Sequence, residues 1–426
     1  MKPNSGVRTL FIVSILFLIQ GAHIAQSRWE QVLEQSDFMV YYTAATLVRT
    51  GNSLHIYDGS RPDTNPQNSP ASPDSIFAQT AEAFGLTSIS LYLYPPTLAD
   101  LMTPLTLFSP LTALHLWWLL NAAALLASAL IMASLLGVRH AAHRISIVAF
   151  CFILLPTLEC FRVGQVSILL LLLLIAGIWL YLRGYVQWAG LLFALATAIK
   201  LTPLILIVPL LVWRDWKTLR AFFLGGLAIL GLLWFVNGPA MLRLYSLHLM
   251  PAMSSGFPDI DDRTFSTLLL EYWRGIGHAS VTPLLLWMSR IVSFLVLAAA
   301  AWLSRSGSKH ALSDQTRFDV LAVFLLLSCC IAPVSWIYSY VRAIPLLVLL
   351  GLRLWRSESS TAESTVLFLF LIAISVNLFP HFTLATPLLG SALCLLELHR
   401  LRREGQFGQT AVLLAEAAQP PLASAL

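Results

Sequence analysis

Charge is the scarcest commodity in this chain. Of 426 residues only 11% are Asp, Glu, Lys or Arg, while 58% are hydrophobic. A soluble domain carries about 25% charged residues, and this chain has too little polar surface to face water all round. It reads as an all-α polytopic membrane protein. Cysteine is also sparse: Cys151, Cys160, Cys329, Cys330 and Cys394 all fall in apolar runs, which excludes a disulfide framework and a cysteine metal site. No metal or other cofactor is expected. The formal charge of +5 is spread over short loops, which excludes a nucleic-acid-binding patch. No sequence repeat of the kind that marks many transporters is visible.

What the chain does have is a succession of apolar runs. A bilayer core about 30 Å thick needs roughly 20 apolar residues per helix. Twelve crossings are expected, near 7–25, 110–136, 144–161, 164–182, 186–199, 201–213, 218–236, 279–303, 318–335, 338–352, 364–379 and 382–398. The basic n-region MKPNSGVR and the AHIA that follows also fit a cleaved signal peptide; the length of the 7–25 run favours a retained helix. The stretch 96–108 (PTLADLMTPLTLF) is too short and too polar to span, and reads as an interfacial or re-entrant helix. With both ends inside, Lys and Arg collect on one face, in RHAAHR (139–144), Arg183, RDWKTLR (214–220), Arg353, Arg356 and HRLRR (399–403), as cytoplasmic loops require. The opposite face then holds two long loops, 26–95 and 237–278. Within the first, SRPDTNPQNSPASPDS (60–75) reads as a disordered insert. Residues 1–403 form the membrane domain, and 404–426 a flexible tail.

The outer rim gathers polar and aromatic groups from separate parts of the chain. They are Asp37, YLYPP (92–96), ECFRVGQ (159–165), IKLTP (199–203), Arg263, VSWIYSYVR (334–342) and His381. Charged groups beside hydrocarbon are costly and usually face a cavity or a partner, so this collection suits a membrane-embedded site opening outward. Ser36 can cap a helix that begins at Asp37 and ends at Gly51, which sets Asp37 and Tyr41 on one face. Each residue also has a plainer reading. Asp37 complements a helix dipole, Lys200 snorkels to the interface, Arg162 pairs with Glu159, and Arg263 and Arg342 are solvated loop cations. The Trp and Tyr residues belong to an aromatic belt.

The pattern DF.VYY.AA..L..G....IYD, then Y.YPP, the 164–210 stretch with its GQ, RG, AG and IK..P in order, and APVSWIYSY (332–340) together resemble glycosyltransferase family 87. This family comprises GT-C-type, polyprenol-phosphate-mannose-dependent α-mannosyltransferases of bacteria. The resemblance implies a GT-C-type helical bundle and a transfer of sugar, mannose in the family, from a polyprenyl-phosphate donor to a glycolipid or glycan acceptor at the outer face of the inner membrane. It implies Asp37 as catalytic base. It leaves Tyr41, Tyr94, Arg162, Gln165, Lys200, Arg263, Trp336, Tyr338, Arg342 and His381 to bind substrates, in a chain acting as a monomer. Two departures stand out: Tyr338 occupies the position of the family's histidine, and DDRTFST (261–267) stands where an N-Q-S pattern is usual. A related enzyme using another lipid-phosphate sugar, such as arabinofuranose, and a lipid or solute transporter remain alternatives.

The topology makes a direct prediction. In single-cysteine variants, Ser69→Cys reacts with an impermeant maleimide in intact cells and Ser308→Cys reacts only after permeabilisation. The reverse pattern overturns the orientation.

Overall fold

A computed structural model of the chain describes residues 36–58, 70–254, 262–275, 283–306, 312–356, 358–375 and 385–406. The first expected crossing and His381 lie outside the described residues. Within them the regular structure is helical, with two isolated bridges, Pro70 to Ser90 and Asp262 to Trp336. Pro70 to Ser75 of the stretch read as a disordered insert are ordered: Ala71 N–H donates to the Ile89 carbonyl, and Ser75 caps the helix Ile76–Glu82.

The expected apolar runs that fall within the described residues become helices, but twelve crossings are not what the helices support. Among the described residues four helices are long and apolar enough to span: Pro110–Leu135, Trp216–Met253, Leu284–Leu303 and Ile337–Trp355. A fifth is reached by counting Ala141–Ile153 with Leu155–Val163 as one broken span, bent by 55°. The breaks follow from proline and from loss of helical backbone. Leu154 adopts an extended conformation, and Pro156, which cannot donate to the preceding turn, sits in the first turn of the next helix. The 201–213 run divides into a 3₁₀ turn Thr202–Leu206 with Pro203 in its first turn and a short helix Ile207–Val212. The segment 96–108 is a seven-residue helix Pro96–Met102 followed by a 3₁₀ turn, too short to cross, as its sequence suggested.

Burial separates core helices from peripheral ones. Asp314–Cys330 is covered almost throughout, from Phe318 to Cys330 without interruption; a helix apolar on all sides belongs inside a bundle. By contrast, only 17% of the apolar window of Trp216–Met253, and of Leu284–Leu303, is covered by protein. Their outer faces carry Phe235, Trp234 and Phe294, as a lipid-facing surface would. Val186–Ile199 packs against both Trp216–Leu244 and Ser167–Leu182, and Thr386–Arg403 packs against Asp314–Cys330.

Charges sort to the two ends of this bundle. At one end Arg353 bridges two helices, Nη2 to Asp319 at 2.6 Å and Nη1 to Glu397 at 2.5 Å, and Arg400 joins Glu397 at 3.0 Å. Arg353 thus lies in a helix's last turn, pairing in the interior, where the sequence reading had it as a loop cation. Nearby Arg402 donates to the Trp302 carbonyl, and Trp213 to that of Ser304. The other end holds Asp37, Gln165, Lys200 and Arg342. Arg342 and Arg353 are separated by most of one helix, roughly 16 Å at 1.5 Å per residue.

One glycine decides how that second end closes. The helix Leu155–Val163 ends at Gly164, whose φ of 68° is left-handed, and the Gln165 N–H reaches back to the Cys160 carbonyl at 2.8 Å. A Cβ at Gly164 would stand 2.5 Å from Cβ of Phe38. The turn therefore touches the first turn of the helix Asp37–Arg49, which Ser36 caps by accepting from the Met39 N–H. Trp117 Nε1 donates to the Gly164 carbonyl and Trp118 Nε1 to that of Phe161, both at 2.8 Å.

Gly164→Ala is expected to lower Tm more than Gly85→Ala. Both positions are left-handed, which costs an Ala about 1–2 kcal/mol, but a Cβ at Gly85 meets nothing within 4 Å. Thermal unfolding in detergent measures the difference. Equal losses would show that the contact with Phe38 does not matter.

Candidate active site

The Gly164 turn delivers Gln165 to Asp37. Gln165 is fully buried; its Nε2 donates to Asp37 Oδ2 at 2.6 Å, and its Oε1 accepts from the Tyr94 hydroxyl at 3.0 Å. Tyr94 thereby fixes which way the amide points, and the amide presents its N–H to the carboxylate. Tyr41, one turn after Asp37, meets the Tyr94 ring edge-on at 5.1 Å.

Lys200 arrives from another direction. It follows the last residue of Val186–Ile199, in extended conformation. Its Nζ lies 5.4 Å from the centre of the Tyr94 ring and 5.7 Å from that of Tyr338. A cation between two aromatic faces is held by their negative quadrupoles without surrendering its charge to a carboxylate. Tyr338 belongs to the 3₁₀ turn Ile337–Ala343, and Trp336 stands edge-on to it at 5.4 Å.

The electrostatics follow from this packing. Asp37 is pushed up to about 6, first by burial; the Gln165 hydrogen bond and the positive charges of Lys200 and Arg162 work the other way. Lys200 is brought down to about 8, first by burial and then by repulsion from Arg342, with Asp37 opposing. At neutral pH the carboxylate is mostly ionised and the ammonium mostly protonated. Burial, a hydrogen-bond donor and a nearby cation thus bring a carboxylate close to the operating range of a general base.

The remaining sequence candidates divide. Arg162 pairs with Glu159 at 2.7 Å and is partly exposed near Asp37. Arg342 is buried; its Nε donates to the Ser339 carbonyl, Nη1 donates to Thr202 Oγ1, and Nη2 has no hydrogen-bond partner among the described residues. Arg263 is buried away from this cluster's centre and donates to the Ala373 carbonyl at 2.6 Å. Its segment is tied down by Asp262, which accepts from the Ser335 N–H, and by Arg263 N–H donating to the Ser335 carbonyl at 2.8 Å. Trp336 Nε1 and the Tyr338 hydroxyl are buried without hydrogen-bond partners among the described residues. Sequence reasoning did not single out Gly164 as a contact, Trp117 as the group that holds it, or Thr202 as the partner of Arg342. Thr202 sits beside Lys200 in the IKLTP motif, which was the available signal.

A cleft of about 610 Å³ adjoins the cluster. Tyr94, Lys200, Trp336 and Tyr338 line it at one side, and Leu204, Val208, Met250, Met253 and Leu297 make apolar walls. Leu201 and Leu204 on its rim are exposed. Among the described residues no three His, Cys, Asp or Glu side chains gather as a metal site. The arrangement offers a carboxylate base, a cation held beside it, and a long apolar slot.

The chain is similar to known proteins over most of this region. The family model described as glycosyltransferase family 87 matches residues 92–333, a stretch that contains Tyr94, Arg162, Gln165, Lys200 and Arg263 and begins after Asp37. A polyprenol-phosphate-mannose-dependent alpha-(1-2)-phosphatidylinositol pentamannoside mannosyltransferase of Mycolicibacterium smegmatis is 27% identical over 305 residues, 69% of this chain and 68% of that protein. A protein of the same name from Mycobacterium tuberculosis is 29% identical over 266 residues, 60% of this chain and 57% of its own length.

The hydrogen bond from Gln165 stabilises the ionised form of Asp37, so its removal must raise the midpoint. In infrared difference spectra against Asp37→Asn, the carboxylate band of Asp37 is expected to titrate near pH 6 and to move to higher pH in Gln165→Leu. An unmoved or lowered midpoint overturns the role given to Gln165.

Proposed function

The chain belongs to glycosyltransferase family 87, and from that premise we propose that it transfers mannose from a polyprenyl-phosphate donor to the hydroxyl of a glycolipid or glycan acceptor, with Asp37 as general base. The donor class and the sugar rest on the names of the mycobacterial relatives. The observation that carries the reading is the half-buried Asp37 carboxylate, raised to about 6 and oriented by Gln165 beside Lys200. The apolar cleft supports it, since a polyprenyl tail needs an apolar slot reachable from lipid, and Lys200 lines this one.

In this mechanism the acceptor oxygen attacks the anomeric carbon as its proton passes to Asp37. The anomeric carbon–oxygen bond breaks, and its electron pair stays with the departing lipid phosphate. Phosphate is a good leaving group, so a single carboxylate suffices, where glycoside hydrolases usually require two. Charge grows on the phosphate as the bond breaks, and preorganised donors aimed at developing charge lower the barrier. Lys200 supplies the cation. Arg342 Nη2, the Tyr338 hydroxyl and Trp336 Nε1 are buried donors without an acceptor among the described residues, and they suit the phosphate oxygens. Attack from the side opposite the leaving group inverts the anomeric centre. No step is routed through a metal ion. With the Lys- and Arg-rich end of the bundle inside, the site faces the periplasm or exterior.

Purified protein, polyprenyl-phosphate mannose and a mannoside acceptor test the reading. The base acts ionised and the cation protonated, so kcat/KM is expected to rise through about pH 6 and to fall above about pH 8. Asp37→Asn is expected to bind donor yet lose about 10²–10⁴ in rate, the usual effect of removing a general base, and to lose the acid limb. Lys200→Gln is expected to raise the donor KM. Transfer by Asp37→Asn within about threefold of wild type would falsify the base assignment, since a helix-dipole role costs only about 0.3–1 kcal/mol of stability.

A further inference from the structure

A second polar pair involves the helix that follows Tyr94, and the mechanism above leaves it without a task. Asp100 lies on the short helix Pro96–Met102, which follows directly from Tyr94 and Pro95. Its Oδ2 accepts from Asn237 Nδ2 at 2.8 Å across a sequence separation of 137 residues. Each partner keeps one oxygen, Asp100 Oδ1 and Asn237 Oδ1, that is buried and has no hydrogen-bond partner among the described residues. Asn237 is only 7% exposed. Buried polar atoms in native proteins nearly always find partners, so such a pair calls for an explanation.

The surroundings narrow what could complete it. The rings of Tyr94, Tyr92, Tyr57 and Tyr245 follow one another with centroid separations of 6.1, 5.8 and 5.9 Å. The charge of Asp100 acts on both Tyr57 and Tyr92, which sets the pair beside the middle of this row. Tyr94, at the near end, is the residue that orients Gln165 on Asp37, and Tyr245 lines the cleft. Tyr57 and Tyr92 have already spent their hydroxyls on the carbonyls of Tyr94 and Pro95. The pair therefore offers two bare acceptors and lacks donors. A divalent cation such as Ca²⁺ takes about 6–8 oxygens, more than one carboxylate and one amide with spent neighbours provide. A ligand rich in hydroxyl groups supplies donors without needing a full coordination shell.

We propose that Asp100 and Asn237 receive hydroxyl groups of the acceptor saccharide, and so position the acceptor whose attacking hydroxyl meets Asp37. The inference rests on the glycosyl-transfer reading above and adds the acceptor subsite to it. The backbone leaves room for the pair to adjust. Gly238, next to Asn237, breaks the helix Trp216–Leu244 with φ 77° and ψ 164°, and a Cβ there would meet nothing within 4 Å.

The test is a split between kinetic constants. With polyprenyl-phosphate mannose as donor and octyl α-mannoside and octyl α-mannobioside as acceptors, Asp100→Asn and Asn237→Ala are each expected to raise the acceptor KM about tenfold, the size of one lost hydrogen bond to a charged acceptor. The donor KM stays within twofold, and kcat extrapolated to saturating acceptor falls far less than in Asp37→Asn. Thermal unfolding shows whether each variant folds; should Asp100→Asn fail to fold, Asn237→Ala decides. An acceptor KM unchanged in folded variants, or a rise confined to the donor KM, overturns the subsite and assigns the pair to packing or to a buried water. Wild-type protein that transfers no mannose to either acceptor, nor to phosphatidylinositol mannosides, overturns the transfer reading itself.

Discussion

The contact on which the site depends is the approach of one turn to one helix. The Gly164 turn rests against Phe38 so closely that no side chain fits between them. Only that approach brings Gln165 within 2.6 Å of Asp37, and only a left-handed residue lets the chain turn out of its helix at that point. The two tryptophans that hold the turn from behind, Trp117 and Trp118, act as clamps whose N–H groups meet carbonyls that a helix end leaves unpaired. Tyr94, Tyr338 and Lys200 are then arranged around a carboxylate whose position is already set.

The two ends of the bundle meet the cost of charge burial differently. At the Arg353 end, arginines and carboxylates cancel one another at short range, and breaking such a pair is more damaging than never having had it. At the Asp37 end, the cation is sandwiched by rings and the carboxylate is held by an amide. Neither charge is neutralised by direct contact with the other. The first end is built for rest. The second keeps its charges available to a third party.

Much of this was legible because polar residues are so rare in the chain. Asp37, Tyr94, Gln165, Lys200, Tyr338 and Arg342 stood out against an apolar background, and the structure gathers them at one end of the bundle. Helix positions were legible too: the run 186–199 is the helix Val186–Ile199. The number of crossings was not. Hydropathy sums side chains over a window and is blind to the extended backbone at Leu154 or the 3₁₀ turn at Pro203, which shorten helices without changing their composition. Pairings across long separations were equally hidden. Nothing local to Arg353 announces Asp319 or Glu397, 34 and 44 residues away, and nothing local to Asp100 announces Asn237. Gly164 looked like an ordinary helix stop, since its meaning resides in Phe38, which sits on another helix.

The residues that make up the site are drawn from positions 37 to 342, and this ordering has a consequence for biogenesis. During synthesis the Asp37 carboxylate emerges first. Gln165, Lys200 and Tyr338 follow in that sequence, so the carboxylate precedes the amide that orients it and, by much more, the second ring around Lys200. A nascent chain arrested before the 3₁₀ turn Ile337–Ala343 holds Asp37, Tyr94 and Gln165 but lacks one of the two rings around Lys200. The full set of neighbours thus arrives late, after nearly four-fifths of the polypeptide has been made. A product truncated there, however well integrated in the bilayer, leaves Lys200 against a single ring.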